Sequence, residues 1–130
     1  MKLFKSLSLL VALTTVATGI ASYQGQVVEL SSRAQINQAL ASNQFVIIDL
    51  YAHWCRPCQM MSPILHNIVN HRKDVAVIKV NADRSAGAVS GLMSTRALPT
   101  IAFFKNGAKV AEFTGARSEA QMMAEVNRLF

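Results

Sequence analysis

The chain has 130 residues, 52% of them hydrophobic and only 15% charged, with 13 Lys+Arg against 7 Asp+Glu for a net charge of +6. That balance describes one globular domain and excludes a disordered chain, which would combine low hydrophobicity with high net charge. Six glycines, three prolines and no short period exclude collagen-like and repeat architectures, and two cysteines are too few for a disulfide-dense scaffold or a four-cysteine zinc site.

In chain order, the first feature is a targeting pattern. Lys2 and Lys5 precede an apolar run from Leu7 to Ala21 that ends in small residues, Gly19 and Ala21. A charged start, a short apolar stretch and a small-residue exit describe a signal peptide over residues 1–21, ahead of a domain over 22–130. The run is shorter than the roughly 20 residues a spanning helix needs, so cleavage is preferred to an uncleaved membrane anchor. Export to a periplasmic or secreted location would put the cysteines where disulfides persist. The remaining positive charge, at residues such as Arg33, Arg56, Arg72, Lys73, Arg96, Lys105, Lys109 and Arg117, is scattered along the chain. Scattered charge without interleaved aromatics excludes a nucleic-acid surface.

Gln26 to Leu30 reads as a first strand. Ser32 caps a helix, with Gln35 completing a capping box and Ile36 and Leu40 on one face. Phe45 to Tyr51 is a continuous apolar run suited to a central strand covered on both sides. A second helix starts around Trp54 to Cys58 and runs to about Asn70, with Pro63 expected to kink it. Val75 to Val80 is the next strand, and Ser85 to Leu92 a short helix weakened by Gly87 and Gly91. Thr100 to Lys105 and Lys109 to Thr114 form a hairpin around Asn106-Gly107, and Ser118 opens a last helix. The order β-α-β-α-β-α-β-β-α is that of an α/β domain whose mixed sheet carries helices on both faces.

The chemistry lies in Trp54-Cys55-Arg56-Pro57-Cys58. Cysteines three apart at a helix start are neighbours, about 5–6 Å between Cβ atoms, close enough to bridge. The helix N-terminus favours a thiolate at Cys55, and the adjacent Arg56 lowers its pKa further. Cys58, a turn deeper, is the natural resolving thiol, and Pro57 falls where its missing N–H costs nothing. A structural disulfide, a half metal site using His53, His66 or His71, and two inert buried cysteines remain as alternatives. The first would close too small a loop to stabilise much, and the histidines lack ligand spacing.

The stretch from Val46 to Cys58, continued by Gln-Met-Met-Ser-Pro63, resembles the active-site strand and helix of the thioredoxin family. The likeness extends through Ile78 to Asp83, Arg96 to Ile101, Phe104 to Gly107 and Gly115. It implies a thioredoxin fold, a central mixed sheet of about five strands flanked by about four helices. It also implies roles. Cys55 matches the attacking cysteine and Cys58 the resolving one, joined as a disulfide when oxidised; Asp49 matches the buried carboxylate that assists proton transfer. Lys79 matches the lysine facing that aspartate. Pro99 matches the family's cis-proline, which with Leu98 and Thr100 meets the substrate chain, and Trp54 forms part of the docking surface. This chain departs from the family at Arg56, where glycine is usual, at Tyr51, which replaces a tryptophan, and at His53, where an acid is common; the loop before Pro99 carries one extra residue. The cation of Arg56 stabilises the thiolate and should make the couple more oxidising, while His53 can titrate near neutral pH and add positive charge beside Cys55.

The resemblance thus implies a dithiol–disulfide oxidoreductase that reduces protein disulfides, and nothing in the sequence demands more than a monomer. No metal, flavin or nucleotide is implied, because the dithiol itself carries the electrons. An exported reductase would need a membrane or envelope redox partner to recycle it. A disulfide-forming oxidase or isomerase, and a non-catalytic binding or chaperone module, are the alternatives.

Overall fold

A computed structural model describes residues 21–130. The expected signal peptide therefore lies, but for Ala21, outside the described residues. Five strands, β1 (Val27–Glu29), β2 (Phe45–Tyr51), β3 (Val75–Asn81), β4 (Thr100–Lys105) and β5 (Ala108–Thr114), form one sheet in the order β1-β3-β2-β4-β5. Strands β1, β3 and β2 are parallel; β4 and β5 complete the sheet antiparallel. Among the described residues four helices accompany them: α1 (Arg33–Ser42), α2 (Arg56–His71), α3 (Ala82–Ser85) and α4 (Glu119–Leu129).

The central strand β2 is buried on both faces, as its unbroken apolar run requires. Its alternate residues divide between two cores. Val46, Ile48 and Leu50 pack with α1 residues Ile36 and Leu40. Ile47 packs with Met61, Leu65 and Ile68 of α2 and with Met122 and Val126 of α4. Both expected capping boxes form, Ser32 with Gln35 and Ser118 with Gln121. Asn106 (φ 52°) and Gly107 (φ 81°) make the tight turn between β4 and β5 in the left-handed region that this dipeptide tolerates.

One expectation needs correction. The short helix expected over Ser85 to Leu92 is instead α3 at Ala82–Ser85 followed by a single 3-10 turn, Ala86–Ala88. The physical reason is Asn81, whose Oδ1 accepts from the backbone N–H groups of Asp83 and Arg84 and starts the helix directly at the end of β3. Helix α2 begins at Arg56, within the expected region of Trp54 to Cys58, because Cys55 has extended backbone (φ −83°, ψ 107°) and is the cap. Pro63 lies inside α2, which continues to His71. Among the described residues no helix is long and apolar enough to cross a membrane.

Candidate active site

The site grows from the C-terminal end of β2. The strand stops at Tyr51, the chain turns through Ala52, His53 and Trp54, and Cys55 caps α2. The Cys55 Sγ accepts from the Cys58 N–H at 3.3 Å, so one of the helix's orphan donors points at the sulfur. Cys55 and Cys58 are joined as a disulfide, with Cα atoms 5.3 Å apart. Pro57 occupies the first turn of the helix. Gln59 steadies the turn from behind, its Nε2 donating to the His53 carbonyl at 2.7 Å.

The two cysteines, only 5% and 2% exposed, open onto different spaces. Cys55 lines an outer groove of about 450 Å³ with Trp54, Arg56, Pro57, Ala82, Arg96 and Leu98. Leu98 also packs against the cluster of Tyr51, Ala52 and both cysteines. The Leu98–Pro99 peptide bond is cis, Pro99 is buried, and its carbonyl accepts from Gly115 N–H at 2.9 Å. Thr100 is buried at the start of β4, its hydroxyl donating to the Ala97 carbonyl at 2.7 Å. Trp54 is 71% exposed, and its indole Nε1 donates to Asp83 Oδ2 at 2.9 Å, which holds the ring at the rim.

Cys58 instead lines an inner polar cavity of about 310 Å³ with Glu29, Tyr51, His53, Gln59, Ser62 and Lys79. Sheet register explains this cluster. Glu29 of β1 is paired with Lys79 of β3, and Lys79 with Asp49 of β2, so the three form one row across three parallel strands. Residues in register on neighbouring strands share a face, and this is the α2 face. Lys79 Nζ lies 4.3 Å from the centroid of the Tyr51 ring and 3.4 Å from Ser62 Oγ. Tyr51 Oη donates to Glu29 Oε1 at 2.6 Å, and the His53 ring meets the Tyr51 ring edge-on at 5.4 Å. Burial and the bond to Glu29 push the Tyr51 hydroxyl up to about 12.

Asp49 is fully buried, and neither of its oxygens accepts a hydrogen bond from a described protein group. Burial raises its pKa from 3.8 to about 7, partly offset by the positive charge of Lys79. A carboxyl with that value exchanges protons at neutral pH, as general acid–base chemistry requires.

The residues matched to family roles fall at one of these two spaces or, like Asp49, Pro99 and Thr100, in the buried structure beside them. His66 and His71, the other two candidate metal ligands, lie further along α2. Sequence reasoning missed Glu29, Ser62 and Gln59 in the inner cavity and Arg96 and Asp83 at the outer groove. Only Asn81, a visible helix cap, could have signalled that Asp83 turns back beside Trp54. Among the described residues no group of three or more His, Cys, Asp or Glu side chains is assembled to hold a metal ion.

A disulfide-bonded Cys-x-x-Cys at the cap of a helix, fed by the central strand of a mixed five-stranded sheet, defines a dithiol–disulfide oxidoreductase. The thioredoxin family model matches residues 26–128. Human thioredoxin is 33% identical over 103 residues, covering 78% of this chain and 96% of its own. Among solved structures, a mutant thioredoxin from Halobacterium salinarum superposes with a TM-score of 0.76 at 25% identity, covering 83% of this chain and 94% of its own. Oxidised thioredoxin O2 from Arabidopsis thaliana gives 0.69 at 31% identity, with 80% and 94% covered. The chain belongs to the thioredoxin family and is a thiol–disulfide oxidoreductase acting on protein disulfides.

Proposed function

We propose that this protein works as a disulfide reductase in an exported setting, with Cys55 attacking and Cys58 resolving. The observation that carries this reading is the division of the two sulfurs, Cys55 on the outer groove and Cys58 on the polar cavity beside Lys79. The Cys55 thiolate attacks one sulfur of a substrate disulfide, breaking the S–S bond and releasing the other sulfur as a thiolate. Asp49 takes the proton of Cys58, whose thiolate then attacks the Cys55 sulfur and displaces the second substrate sulfur. The substrate gains two electrons and, with two protons, becomes a dithiol, while the protein is left as the Cys55–Cys58 disulfide. Arg56, on the groove that Cys55 lines, favours the attacking thiolate, whereas His53 faces the inner cavity on the Cys58 side; Trp54, Leu98, Pro99 and Thr100 frame the substrate chain. The dithiol needs no bound cofactor.

The signal-peptide pattern of residues 1–21 supports a periplasmic or secreted location, with tethering as the alternative if the segment is retained. In either case a membrane or envelope partner would return electrons to the disulfide. Equilibration with glutathione buffers, read by thiol trapping, tests the direction of electron flow. A reduction potential near the thioredoxin figure of about −270 mV is expected; a value between about −180 and −120 mV would replace the reductase with an isomerase or oxidase.

A further inference from the structure

We propose that the outer groove takes an extended protein segment carrying carboxylates beside its disulfide, an inference that rests on the reductase reading above. The groove's apolar lining, Trp54, Pro57, Ala82 and Leu98, offers contact without sequence preference. Its charged lining is of one sign. Arg56 and Arg96 stand on the two sides, one from the start of α2 and one from the irregular segment before Pro99, and no carboxylate among the described residues lines the groove.

Both arginines are exposed and without an ion-pair partner among the described residues. Three other surface cations have carboxylate partners: Arg72 pairs with Asp74 at 2.8 Å, Lys109 with Glu112 at 2.6 Å and Arg128 with Glu125 at 2.6 Å. Exposed Lys73, Arg84 and Lys105 have no ion pair among the described residues either; what sets Arg56 and Arg96 apart is that both line the groove of Cys55. The acid at the groove's rim is Asp83, and its Oδ2 is occupied by the Trp54 indole. Glu29 is committed to Tyr51 in the separate inner cavity. Both arginines that line the groove with Cys55 are thus left without an ion-pair partner, in the planar form that binds carboxylates by two parallel hydrogen bonds. A segment with Asp or Glu on either side of its cysteine engages both, whereas one with lysines meets repulsion there.

The test uses prereduced protein freed of reductant and three cyclic disulfide peptides that differ only in the residues flanking the cysteines, Glu, Ser or Lys. The second-order rate constant for peptide reduction is read by acid quench and chromatography. Each value is divided by that for dithiothreitol with the same peptide, which corrects for the peptide's own reactivity. In low salt the corrected constant is expected to be on the order of fivefold higher for the Glu than for the Lys peptide, as fits two exposed ion pairs. The ratio should shrink toward one at about 1 M salt, where screening acts within about 3 Å. It should fall in Arg96→Gln and return only in part in Arg96→Lys, which restores the charge but not the bidentate fork.

Equal constants for all three peptides, or a ratio untouched by Arg96→Gln, would overturn the charge preference while leaving the reductase intact. Failure to reduce any peptide would overturn both.

Discussion

The ammonium of Lys79 stands against the face of the Tyr51 ring, 4.3 Å from its centroid, and that ring is held from its far end by Glu29. The three side chains come from three neighbouring strands, and their effect is to keep one positive charge beside a carboxyl that has no hydrogen-bond donor among the described protein groups. Lys79 therefore stabilises the ionised form of Asp49 against the burial that opposes it. Replacing Lys79 by Met removes the charge and keeps the apolar stem. The Asp49 midpoint should then move upward from about 7, so that less carboxylate is present at neutral pH. A carboxyl-detected NMR titration of the oxidised protein reads the midpoint directly, and an unchanged value would mean that Lys79 exerts no field at Asp49.

Burial of Asp49 also makes a prediction for stability. Its folded pKa, about 7, lies above the ordinary aspartate value of 3.8 that stands for the unfolded chain. The folded state thus binds the proton more tightly, and the stability associated with this group is fully present below about pH 3.8. It is lost as pH rises through 7. At 1.36 kcal/mol per unit, the loss by pH 8 is on the order of 4 kcal/mol. Asp49→Asn cannot ionise, so relative to the parent it should gain stability approaching that figure between about pH 4 and pH 8. Urea unfolding of the two oxidised proteins at both values checks this, and a difference that did not grow with pH would count against ionisation as its source.

The parts of this structure that could be read in the sequence are those fixed by local chemistry. Strand β2 is bounded where the apolar run meets Asn43 and Gln44 on one side and the Ala52 turn on the other, and both helix caps carried their own signals in Ser32 and Ser118. Spacing at a helix start showed that Cys55 and Cys58 could bridge, and the resemblance to the thioredoxin family supplied their roles. Glu29 was invisible because its meeting with Tyr51 depends on sheet order. Strand β3 lies between β1 and β2, and nothing near Glu29 in the chain states that Lys79 and Asp49 will fall into register with it. Arg96 read as one of several scattered cations because its nearness to Arg56 exists only once the segment before Pro99 folds back over the helix start.

Arg56 is the departure from the family pattern that acts most directly on the chemistry. It sits between the cysteines, exposed on the groove that Cys55 lines, and carries no counter-charge among the described residues. A cation there lowers the energy of the Cys55 thiolate and has no charge to stabilise once the disulfide has formed. It therefore favours the reduced protein and raises the reduction potential. Solvent screens an exposed guanidinium, which limits the effect to about 0.5–1 kcal/mol, or roughly 10–20 mV for a two-electron couple. Arg56→Gln, which keeps length and polarity, should accordingly shift the couple to a more negative potential by that amount in glutathione equilibration. The shift should shrink at high salt as the charge is screened. A potential that stayed fixed, or moved the other way, would assign the redox poise of this protein to its backbone geometry rather than to the charge between its cysteines.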